Sequence, residues 1–208
     1  MIPVSEMWLF ILSAMALAAV PGPDNIFVMM LSALHGFKKG VAVIAGLCSG
    51  LMIHTMAAAM GIAAIFQASP VAFYTIKILG ALYLLYLAWQ AWCAGQSDTA
   101  YRAKAPDGLG ALYIRGLLMN MTNPKVTVFF LAFLPQFAKP ELGFMASQMI
   151  QLGTLFIVST MVVFGLIAWF AGELGGWLQR SPSALAKMNR CVSMVFVGLA
   201  VKLVLGER

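Results

Sequence analysis

The sequence predicts an all-α integral membrane fold: six transmembrane helices forming two inverted three-helix repeats, with helices 1 and 4 interrupted by proline. Three observations predict it. Of 208 residues, 62% are hydrophobic and only 10% charged, with a mean hydropathy of +0.92, whereas soluble domains carry roughly 25% charged residues. The apolar runs are about 20 residues long, the length of a helical span, and not the roughly 10 of an alternating barrel strand. Finally, proline breaks the first apolar run of each half.

Six apolar segments follow in order: Met7 to Leu34, Val41 to Phe66, Val71 to Trp92, Leu109 to Leu134, Ser147 to Ala171, and Met188 to Leu205. The first is expected to be a retained helix, because Met1 to Glu6 carries no Lys or Arg and so lacks the basic start of a signal peptide. The connections are short except for Ala94 to Gly108, whose Gln96, Ser97, Asp98, Arg102, Lys104 and Asp107 make it the most polar stretch. It divides one membrane domain into a first half of about 1–93 and a second of about 109–208. Leu31 to Gly40 can be laid beside Leu131 to Pro140 with four identities, Leu, Leu, Phe and Lys, a trace of an internal repeat. Interrupted helices at corresponding places in two halves point to the binding site of a secondary transporter.

Charge sets the orientation. Lys38, Lys39, Arg102, Lys104, Arg115, Arg180, Lys187 and Arg190 fall at one face, against Lys139, Lys202, Arg208 and Lys77 at the other. Basic connections stay in the cytoplasm, which places both termini outside. The net charge of +6 is thereby spread through short loops and implies no nucleic-acid partner. Trp8, Trp89, Trp92 and Trp177 near span ends suit an interfacial belt, and Lys77 is expected to snorkel outward. Gly46 with Gly50, and Gly172 with Gly176, have the spacing that lets helices approach closely; such faces permit a homodimer without demanding one.

The candidate site lies at the breaks. Pro21, Gly22, Pro23, Asp24 and Asn25 put a carboxylate and an unmade stretch of backbone at membrane depth, tolerable only where other helices or water satisfy them. Asp24 reads either as a cap for the restarting helix or as a functional, proton-carrying group, and the two roles are compatible. In the second half, Asn120 and Asn123 are three apart on one helical face, followed by Pro124 and Lys125. Lys125 is the cation beside a break, with Asp24 as its mate. A structural ion pair is one reading; a pair that opens around a zwitterionic ligand is the other.

Other chemistries fit less well. Cys48, Cys93 and Cys191 make no Cys-x-x-Cys pair, so a membrane redox protein is disfavoured. His35 and His54 are isolated, and with one deep carboxylate they offer no metal site; no cofactor is expected. Ser49 and His54 are five apart on one helix, badly aligned for a nucleophile and its base.

Three motifs occur in order: Pro21-Gly22-Pro23; the run from Lys77 through Gly80, Tyr83 and Tyr86; and Asn123-Pro124-Lys125 followed by Phe129, Phe130 and Leu134 to Phe137. Together they resemble the LysE/RhtB family of bacterial amino-acid exporters, over essentially the whole chain. The resemblance implies efflux of amino acids across the bacterial inner membrane, driven by protons. It is closer to the homoserine, threonine and leucine branch than to the basic amino-acid branch. Export of another small zwitterionic metabolite or drug-like solute, or of basic amino acids, is the alternative reading.

Overall fold

Helix boundaries in this chain follow its prolines and glycines. The computed structural model describes residues 4–20, 22–68, 70–93, 108–139, 141, 143–171 and 182–205, and among them the regular elements are all helical. Helix α1, Val4–Ala19, stops two residues before Pro21, and α2, Pro23–His35, leaves it at 64°. Proline suits the first position of α2, where the N–H would have no intrahelical partner. Gly36, at φ 88°, ends α2 while its N–H donates to the Ser32 carbonyl at 2.9 Å. A Cβ is strained in that conformation, and glycine lets α3, Phe37–Ala68, begin one residue later. Helix α4, Pro70–Cys93, again starts on a proline.

The second half repeats the break. Helix α5, Leu109–Met121, and α6, Pro124–Val128, are separated by Thr122 and Asn123, and the bent pair turns through 51°. Then α6 passes into a π-type turn, Phe129–Phe133, in which the Leu134 N–H reaches the Phe129 carbonyl, and a 3-10 turn, Leu134–Phe137. Pro135 has no N–H for the Leu131 carbonyl, so an ordinary α ladder could not run on here. Helices α7, Met145–Trp169, and α8, Pro182–Leu205, complete the chain.

Phe37–Gly61 of α3 and Met145–Trp169 of α7 are each long and apolar enough to cross a bilayer, and each bent pair qualifies as a further span when counted as one. Large apolar side chains such as Leu12, Leu82, Val158 and Leu205 face outward, as expected where the solvent is hydrocarbon. The polar connection with Arg102 and Lys104, the stretch holding Gly172, Glu173, Gly176, Trp177 and Arg180, and Pro21 and Arg208 lie outside the described residues.

Helix α3 is central: it packs on α5 and on α7, while α4 pairs with α8, and α1 and α2 lie against α7. The α3–α5 contact depends on glycine. A Cβ at Gly46 would stand 2.0 Å from the Tyr113 carbonyl oxygen, and one at Gly116 would stand 2.3 Å from that of Val43. Helix association in lipid comes from such close backbone approach. Beyond the breaks, Phe10, Phe129, Phe133, Phe137 and Phe156 form a buried aromatic cluster, with Phe129 and Phe156 centroids 4.8 Å apart and Phe10 and Phe137 5.1 Å apart.

Candidate functional site

Backbone carbonyls orphaned by proline organise the site. In an α-helix the carbonyl of residue i bonds the N–H of residue i+4; for Leu17 that residue is Pro21, which has none. The Leu17 carbonyl accepts instead from Lys125 Nζ at 3.2 Å, and the same ammonium reaches the Val20 carbonyl at 3.5 Å. Asn25 Nδ2 donates to the Ala18 carbonyl at 2.6 Å. Side chains thus replace the ladder that the first break removes.

The second break is closed in the same way. Asn120 faces Pro124 four residues on, so its carbonyl takes the Asn123 N–H at 3.1 Å, and the Asn120 backbone also hydrogen-bonds His54. Asn123 serves both breaks. Its Oδ1 accepts the Lys125 backbone N–H at 3.0 Å, capping α6, and its Nδ2 donates to Asp24 Oδ2 at 2.6 Å.

The expected direct pair of Asp24 with Lys125 does not form. Among the described residues the ion pair within 4.0 Å is Glu6 with Lys139. The physical reason is competition: two carbonyls with no backbone donor claim the ammonium, and an amide reaches the carboxylate first. Both charges nonetheless border one space. Asp24, 5% exposed, and Asn120, 3% exposed, line a cavity with the half-buried Lys125 and with Thr160 of α7. Leu47 and Leu51 of α3 and Phe156 and Phe164 of α7 form its apolar walls. Its free volume is about 20 Å³, room for about one water.

Asp24 and Lys125 thus bring an acidic and a basic side chain to one small cavity with an apolar wall beside them. The model of the LysE type translocator family matches residues 15–207. The chain belongs to that family. A homoserine/homoserine lactone efflux protein of Salmonella typhimurium is 34% identical over 193 residues, 92% of this chain and 93% of that protein. A leucine efflux protein of an Enterobacter species is 30% identical over 203 residues, 96% and 95% of the two chains. An uncharacterised membrane protein of Vibrio cholerae is 31% identical over 199 residues. No solved structure matches.

In this LysE type chain the residues singled out from sequence divide by position. Asp24, Asn120 and Lys125 line the cavity. Gly22, Pro23, Asn25, Asn123 and Pro124 shape the two breaks beside it without lining it, and Pro21 is outside the described residues. Thr160 was missed. Its signal was a polar residue midway between Phe156 and Phe164, each one helical turn away and all on one face.

Residues with other readings also find places. Lys77, expected to snorkel, is 7% exposed, its ammonium 5.8 Å from the Tyr74 ring centroid. Ser49 Oγ donates to the Ala45 carbonyl at 3.0 Å and accepts from the Tyr113 hydroxyl at 2.9 Å, which commits it to packing. Among the described residues no three His, Cys, Asp or Glu side chains gather as metal ligands.

Proposed function

We propose that this chain exports small neutral amino acids, of the homoserine, threonine and leucine class, from the bacterial cytoplasm in exchange for protons. The observation that carries the proposal is the meeting of a buried carboxylate and an ammonium at one cavity between two proline-broken helices. The substrate ammonium would meet Asp24, and its carboxylate would displace the Leu17 and Val20 carbonyls at Lys125. The homoserine and leucine efflux proteins among its relatives support the class.

The cavity holds far less than an amino acid, so binding requires the surrounding helices to part. We read that movement as alternating access by two inverted halves of three spans each, as part of an inner-membrane protein with both termini outside. Contacts support the symmetry. A two-fold exchange of halves maps the α3–α7 and α4–α8 pairings onto themselves and the α3–α5 pairing onto that of α7 with α1 and α2. Lys38, Lys39, Lys187 and Arg190 would then mark the cytoplasmic face. Protonation of Asp24 from outside would release the substrate and reset the pair.

The test uses everted membrane vesicles, whose outer surface is the cytoplasmic one. Wild type is expected to accumulate amino acid under an acid interior, and Asp24→Asn to lose gradient-driven accumulation by at least tenfold, on the order of an essential charge-assisted contact. Normal accumulation by Asp24→Asn would remove the proton role. Absence of transport for any amino acid by the wild type would remove the substrate class.

A further inference from the structure

Hydroxyl side chains inside membrane helices have a default partner, the carbonyl four residues earlier. This chain follows the default widely. Ser13, Ser49, Thr55, Thr75, Thr122, Thr154 and Ser159 each donate to the carbonyl at i−4, at 2.8 to 3.0 Å. Thr160 does not. Its Oγ1 is buried without a protein partner, although the Phe156 carbonyl lies one turn below it. Ser32 Oγ is the other such hydroxyl among the described helices, and it is wedged against Gly40, where a Cβ would come within 1.9 Å of it.

Thr160, in contrast, lines the cavity. Asn120, which lines the same cavity, also carries a buried atom without a protein partner, its Oδ1. The Asn120 side chain lies against Gly50, where a Cβ would come 2.5 Å from that oxygen. An amide oxygen only accepts hydrogen bonds, whereas a threonine hydroxyl can donate. The cavity they share has a free volume of about 20 Å³, and buried polar groups left unpaired are costly. A group that both donates and accepts, and that is about the size of a water, satisfies the two at once.

We propose that Asn120 Oδ1 and Thr160 Oγ1 form a subsite for a hydroxyl on the substrate side chain, so that the cavity selects hydroxylated amino acids over apolar ones of the same skeleton. The substrate hydroxyl donates to Asn120 and accepts from Thr160, while Leu47, Leu51, Phe156 and Phe164 enclose its methylene groups. This rests on the exporter reading above, in which Asp24 and Lys125 hold the ammonium and carboxylate. Those two poles are common to all amino acids. The Asn120 and Thr160 pair is what reads the side chain.

The experiment compares homoserine and threonine with 2-aminobutyrate, which is either molecule without its hydroxyl. In everted vesicles carrying the full chain, the ratio of initial rates, hydroxylated over deoxy, is expected to fall about tenfold in Thr160→Val and to persist in Thr160→Ser, in line with the loss of one neutral hydrogen bond. A ratio unchanged in Thr160→Val, or lost equally in Thr160→Ser, overturns the subsite. A second reading avoids the variants. In detergent, the purified wild type should need about tenfold less homoserine or threonine than 2-aminobutyrate for half-maximal thermal stabilisation, and equal concentrations would overturn the proposal. Transport of leucine or 2-aminobutyrate without that preference removes the subsite and leaves the exporter reading intact; transport of no amino acid removes both.

Discussion

Lys125 does the work of backbone donors that the break between α1 and α2 removes. Its ammonium serves the Leu17 and Val20 carbonyls across more than a hundred residues of sequence. Replacing it by Met keeps the length and apolar stem but strands both acceptors in a buried setting, at about 1 to 3 kcal/mol. Lys125→Met should therefore lower the thermal midpoint in detergent, while Lys125→Arg, which keeps charged donors, should hold most of it. Equal midpoints for wild type and Lys125→Met would mean that the carbonyls are satisfied otherwise. The sequence made Lys125 visible as a cation beside a break and suggested Asp24 as its mate. It could not show that carbonyls from the first break would win the ammonium, because hydrogen bonding by backbone atoms leaves no mark in residue identity.

At the scale of elements, glycine decides how near the helices come. Gly116 sits where any Cβ would meet the Val43 backbone, whereas Gly165, in the interior of α7, has nothing within 4 Å of where a Cβ would lie. Gly116→Ala should push α5 from α3 and cost about 1 to 3 kcal/mol. Gly165→Ala should be neutral or stabilise by about 0.5 kcal/mol, through the lower entropy of the unfolded chain. Thermal unfolding of the two variants side by side checks this, and a larger loss at Gly165 would reverse the assignment of faces. The apolar runs and the two proline breaks were legible from the sequence, since both are written in single residues. The start of α3 at Phe37, four residues before the apolar run at Val41, was not: a single left-handed glycine makes the whole turn, so Lys38 and Lys39 are helical. The π-type turn at Phe129–Phe133 was also hidden, inside a stretch of uniform hydrophobicity.

For the molecule as a whole, the face that carries Glu6, Lys139 and Lys202 is tied together across the chain. Glu6 at the start of α1 pairs with Lys139 after the 3-10 turn, Lys202 of α8 lies 3.5 Å from the Phe137 ring centroid, and Gln148 of α7 binds the Lys139 backbone at both N–H and carbonyl, each at 2.9 Å. The Glu6 hydrogen bond and charge raise the Lys139 pKa above its ordinary 10.5. A raised lysine pKa stabilises the fold below the unfolded value, and the benefit fades as pH climbs through the folded one. Lys139→Met should thus melt slightly lower than wild type at pH 8 in low salt, with the two converging above pH 10.5 and in 1 M salt. A difference independent of pH and salt would make the contact a packing one. Charge counting from the sequence placed Lys139 and Lys202 on this face, but the clasp itself joins residues too far apart in the chain to be read from it.

The exchange of donors between the halves reaches into how the protein is made. A nascent chain inserts its first helices long before residue 125 leaves the ribosome, so during that interval the bend between α1 and α2 has no ammonium to hold the Leu17 and Val20 carbonyls. Hydrocarbon tolerates such groups poorly, at several kcal/mol each. Until the second half arrives, the first must therefore keep its bend near water, at the lipid headgroups or within the insertion machinery. Maturation of the α1–α2 bend is thereby timed by synthesis of α6.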